Sequence, residues 1–164
     1  MKFISAVIIA MFSISAIAEE VPIVGTVESR CIVVTDVDGI YGNPSPSKLS
    51  TASADGGVVP TIRFDVLQAD FYKAVISHPN GFTASPSLDD TVTWTGSTAV
   101  TDTSDANMSS YDTNKVTYNN STEYDLTVAG STWFSVSSEA NYGYSKAFPP
   151  GIYRAMVEAE CIAQ

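Results

Sequence analysis

The chain has 164 residues, with 18 Asp and Glu against 8 Lys and Arg, one His and two Cys, and a formal net charge of −10 at pH 7. A surface of that sign repels nucleic acid and anionic membranes, both of which draw in basic patches, so no nucleic acid partner is expected. With one histidine and two cysteines a zinc site would lack ligands.

The first eighteen residues, MKFISAVIIAMFSISAIA, carry Lys2, an apolar run from Phe3 to Phe12 and small residues at Ala16 and Ala18. This is the pattern of a signal peptide. The run is too short for a membrane span, which takes about 20 apolar residues. The expectation is an exported chain that starts at Glu19 and keeps 146 residues (164 less 18), enough for one domain. Two cysteines in an exported protein most simply pair, so a Cys31–Cys161 disulfide is expected to staple the two ends of that domain together.

Short alternating runs then recur along the chain, separated by Gly, Pro, Asn and Asp. The stretch 19-EEVPIVGTVESRC-31 alternates like a strand, with Val27, Ser29, Cys31 and Val33 in phase. Asp36-Val37-Asp38-Gly39 reads as an Asp-Gly turn rather than a calcium loop, because its glycine comes too early and no Glu follows in register. Residues 42–57 and 96–114 are polar and read as long surface loops. In 58-VVPTIRFDVLQ-68, Ile62, Phe64 and Val66 share one face, the mark of a half-buried antiparallel strand. Strands follow at 71–78, which ends in the turn Pro79-Asn80-Gly81, and at 91–95, 115–119, 123–128 and 131–137, with Ala129-Gly130 as a candidate tight hairpin. The last run, 152–162, sets Tyr153, Ala155, Val157, Ala159 and Cys161 against Arg154, Glu158 and Glu160. Both cysteines keep the apolar register of their strands. This pattern predicts an all-β chain, an immunoglobulin-like β-sandwich of about seven or eight strands.

Catalytic groups are hard to assemble. His78 ends a strand, no serine sits in a G-x-S-x-G elbow, and the pairs Asp89-Asp90 and Glu158/Glu160 read as a turn and a solvated face. Neither enzyme activity nor a cofactor or metal is expected. Asn107, Asn119 and Asn120 head glycosylation triplets, which arise by chance in such a composition. Trp94, Trp133, Tyr142, Tyr144 and Tyr153 could stack on sugar, although Trp94 shares a face with Val92 as a packed residue would.

The start, EEVPIVGTVESRCIVVTDVDG, the middle, from Arg63-Phe64-Asp65-Val66 through Lys73-Ala74-Val75-Ile76 to 92-VTWTG-96, and the end, 150-PGIYRAMVEAECIA-163, together resemble pilins of the chaperone–usher route. The likeness is closest to CS1-type (colonisation-factor) major pilins, with the archaic spore-coat-U-like pilins second. The two cysteines, T-W-T-G in place of S-W-G-G, and Pro22 in the leading strand depart from the CS1 pattern. The resemblance implies an incomplete immunoglobulin-like sandwich, completed by a donor strand from a neighbouring subunit. It implies identical subunits as partners in a filament, a periplasmic chaperone and an outer-membrane usher during assembly, and an extracellular, cell-surface location reached through the periplasm.

Mapped onto this sequence, the resemblance makes 19–30 the donor and 31–164 the pilin domain. Val21, Ile23, Gly25 and Val27 are the expected pocket residues, with Gly25 over a shallow pocket. The acceptor groove is expected along Ile152–Ile162 and Ile32–Thr35, with Val33, Ile152, Met156 and Val157 as its residues. The alternative is a monomeric secreted binding module for a glycan or surface ligand.

Overall fold

A computed structural model describes Ile23, Val24 and residues 30–164. The expected leader, residues 1–18, lies outside the described residues, as do Val21, Gly25 and Val27.

Alternation builds the core. In β4 (Thr61–Val66) the buried side chains are Ile62, Phe64 and Val66, and in β5 (Tyr72–Ser77) they are Tyr72, Ala74 and Ile76. β8 (Ser121–Leu126) adds Tyr124 and Leu126, and β9 (Gly130–Tyr142) adds Phe134 and Val136. Phe64 meets Phe134 edge-on at 5.4 Å and Tyr124 lies 4.6 Å from the same ring. Such ring pairs contribute beyond the area they bury.

These strands belong to two sheets in which every pairing is antiparallel. In the first, β9 is the central strand. One of its sides takes β6 (Val92–Thr103) along almost the whole length; the other is shared by β4 and then β3 (Lys48–Ser50). β1 (Cys31–Val37) pairs outside β4, and β2 (Gly42–Ser45) outside β3. The second sheet runs β10 (Glu158–Ala163), β5, β8, β7 (Val116–Tyr118). Inward residues of both sheets form one apolar cluster, so the chain is an all-β, sandwich-like pair of sheets.

Several expectations need correction. Residues 96–114 are not a surface loop. β6 continues to Thr103, a 3-10 turn (Ala106–Ser110) and a short helix, α1 (Tyr111–Asn114), follow, and Met108 and Tyr111 are buried in the core. The Tyr111 hydroxyl accepts the Val128 N–H and the Thr132 hydroxyl donates to the Met108 sulfur, so both buried residues have polar partners. Residues 42–57 likewise fold, as β2, β3 and a 3-10 turn (Ser53–Asp55). There Gly42 passes so close to the Asp55 carbonyl that a Cβ would lie 2.0 Å from it. Ala129-Gly130 is not a hairpin turn, because β8 and β9 lie in different sheets; Gly130, at φ 138°, carries the chain across. Finally, the closing strand is laddered only from Glu158 onward. Residues 152–157 keep the alternation but are held by the 83–84 segment, where the Arg154 carbonyl accepts the Thr83 and Ala84 N–H groups and the Arg154 N–H donates to the Ala84 carbonyl.

Candidate functional site

Two strands end their sheets side by side. β1 is laddered to β4 and β10 to β5, each along one side. The other side of an edge strand presents N–H and C=O groups in register, a template for a further strand. The fold brings these edges together at the Cys31–Cys161 disulfide, where the Cα atoms are 6.2 Å apart.

Away from the bridge the edges part. β1 carries an extra residue at Asp36, opposite the step from Ile62 to Thr61, and such a bulge bends and twists an edge strand. Beyond it, residues 35–39 and 155–157 face each other across a cleft of about 190 Å³. Its apolar lining comes from Val37, Pro60, Ile62, Pro79, Met156 and Val157. Tyr41, Thr51 and Ser138 add hydroxyls that are already partnered: Tyr41 with Ser138 at 2.8 Å, and Thr51 with the Ser138 backbone. Burial pushes the Tyr41 phenol above its ordinary pKa, and the Ser138 hydrogen bond offsets part of that rise. Those three hydroxyls are satisfied, so an apolar side chain can approach them without stranding a donor.

A second cavity of about 440 Å³ lies beside the first, sharing Gly39, Tyr41, Ala155 and Met156 and adding Ile40 and Leu49. The wall formed by 153–157 is braced from behind by an aromatic cluster. Phe82 packs at 4.7 Å from Trp94 and 5.1 Å from Tyr153, and Phe148 stacks on Tyr142. Nearby, the Tyr142 hydroxyl and then the Lys146 ammonium hold the Asp89 carboxyl below its usual range.

The sequence-derived site residues distribute as follows. Met156 and Val157 line the cleft. Val33, beside the bridge, and Val157 both pack on the margin of the core. Ile152 is 74% exposed and lies outside both cavity linings, so the four are not gathered into one pocket. Ile23 and Val24 are 99% and 87% exposed. Val37, Pro60, Ile62 and Pro79 were not expected as lining. The prolines read only as chain breaks, and nothing in a single sequence shows that a breaker's ring will face a cleft.

The cleft has a direction. A strand inserted between two others needs roughly 9.6 Å between its neighbours, twice the usual spacing. The 6.2 Å separation at Cys31 and Cys161 leaves no such room, so the bridge closes one end, and the cleft lies on the side of Gly39 and Ala155.

Other candidate chemistry is dispersed. His78 Nδ1 lies 3.2 Å from its neighbour's carbonyl, and the His78 carbonyl accepts from Asn120. Among the described residues no cluster of three or more His, Cys, Asp or Glu could hold a metal ion. Trp94, Tyr142 and Tyr153 belong to the packed cluster, Tyr144 stands alone at 96% exposure, and Trp133 faces outward near the Arg63 guanidinium at 5.9 Å. No protein-family model matches the chain, and no curated protein or solved structure matches it.

Proposed function

We propose that this chain is a structural pilin subunit, an incomplete immunoglobulin-like sandwich that polymerises by donating residues 19–29 to the groove of the next copy. The observation that carries the reading is the pair of sheet edges, β1 and β10, that meet at the disulfide, with an apolar cleft between β1 and the 155–157 segment leading into β10. An alternating apolar segment stands directly before β1, and its described members, Ile23 and Val24, are exposed. Exposed edges and exposed branched aliphatics are both liabilities that strand donation removes. Full burial of each of Val21, Ile23 and Val27 is worth roughly 1.5–3 kcal/mol. Donor and groove are different surfaces, so the contact does not close and propagates as a fibre.

The resemblance to chaperone–usher pilins supports the rest of the reading: export through the periplasm, a chaperone that covers the groove before assembly, an outer-membrane usher, and a cell-surface fimbrium serving adhesion or biofilm formation. Cells expressing the chain without residues 19–29 should lose the fibres seen by negative-stain microscopy while still accumulating the subunit. Normal fibres from that deletion would sink the proposal.

A further inference from the structure

At the end of β1 where the N-terminal segment departs, the surface is apolar. The Arg30 carbonyl accepts the Leu67 N–H at 3.3 Å, and the Phe71 carbonyl accepts the N–H of Gln164 at 3.0 Å. The connection between β4 and β5 that these bonds flank exposes two large side chains, Leu67 at 69% and Phe71 at 56%. Asp70, between them, adopts a left-handed φ of 65° and is tied to the Leu126 carbonyl, so this exposed turn is bonded in place.

A second apolar platform lies at the opposite end of β1, about 23 Å away for a strand of this length. Ile40 and Val58 exchange two backbone hydrogen bonds, of 3.0 and 2.8 Å, and both side chains are exposed. Met156, which lines a cavity together with Ile40, extends the platform to the open mouth of the groove.

We propose that these two platforms meet: Leu67 and Phe71 of one copy pack on Ile40, Val58 and Met156 around the groove mouth of the next. The inference rests on the strand-donation reading and adds a contact outside the groove. The disulfide closes one end of the groove, so only the free end of a donor can point there, and the end tethered to its own domain stays at the mouth. One residue, Arg30, separates a donor of residues 19–29 from β1. It spans about 3.5 Å, which brings the donating domain's Leu67–Phe71 turn against the mouth.

Mature wild-type chain and the L67S/F71S variant are followed by sedimentation velocity, and each is titrated with a fluorescent peptide of residues 19–30. The expected result is equal peptide affinity with at least a tenfold higher concentration needed for L67S/F71S to polymerise. Ile40→Ser, at the other platform, should give the same pattern. It serves as the independent variant if L67S/F71S melts below wild type. Polymerisation of both variants at the wild-type concentration overturns the contact and leaves strand donation standing. A wild-type chain that neither binds the peptide nor polymerises overturns both.

Discussion

Two outer edges of the first sheet, β6 and β1, are finished in opposite ways. At the β6 edge, the Asp112 carboxylate accepts the Val100 N–H at 3.0 Å, and the Thr98 carbonyl takes the Lys115 ammonium at 2.7 Å and the Tyr124 hydroxyl at 2.9 Å. Side chains thus occupy the positions that another strand would use. At the β1 edge the neighbouring element is β10, itself an edge, clipped to it by the disulfide, and beyond the clip an apolar cleft lies between β1 and residues 155–157. One fold therefore treats two edges differently: its own side chains satisfy backbone groups on one flank, and an apolar cleft adjoins the other. The difference teaches that the open flank is no general failure of the sheet to protect itself.

The largest test of that comparison removes the clip. Replacing both cysteines, C31A/C161A, frees a loop spanning 130 residues, and the chain-entropy model gives a loss of about 4–5 kcal/mol. Urea unfolding of the mature chain should show it. A loss under about 1 kcal/mol would mean that the two edges hold together without the bridge, and the closed end of the groove would lose its cause.

An intermediate effect comes from unsealing the other flank. Asp112→Ala strands the Val100 N–H and removes a partner of Lys115, at 3.1 Å. The loss should be about 1–2 kcal/mol by urea unfolding, since the carboxylate is partly exposed. The variant should also form side-by-side aggregates that the 19–30 peptide does not compete with. If it stays as monodisperse as wild type, the seal is not what protects β6.

The unequal flanks were also unequally legible. Ile62, Phe64 and Val66, and the run from Tyr153 to Cys161, announce their faces because period-two alternation survives any tertiary arrangement. The bridge was legible because both cysteines share that register. The sealed flank was legible only at its start, where Val92 and Trp94 share a face. Beyond Thr95, β6 runs through Gly96-Ser97-Thr98, where the buried residue is a threonine and its neighbour a serine, so no hydrophobic contrast marks the rest of the strand. Met108 and Tyr111 enter the core from a polar stretch as isolated plugs, which periodicity does not detect. Of the cleft lining, Met156 and Val157, just before β10, stood out in the sequence through the alternation of the closing run. The remaining lining, Pro60 and Pro79 among it, depends on how turns from distant parts of the chain converge.

The smallest effect is the most discriminating. Phe64 is fully buried, and Phe64→Ala should cost about 3–5 kcal/mol, as in any finished core. Val33 and Val157 point toward the same core but remain half-exposed on the open flank. Val33→Ala or Val157→Ala should cost less than about 1 kcal/mol in the isolated subunit, because the deleted methyls are already partly in water. If a strand covers that flank, the same substitutions acquire a second cost, paid in peptide affinity. Each should weaken binding of the 19–30 peptide severalfold, whereas a substitution on the sealed flank, Asp112→Ala, leaves it unchanged. Equal peptide affinity for wild type and both valine variants would show that the half-exposed margin is the finished surface of the protein, not an unfilled one.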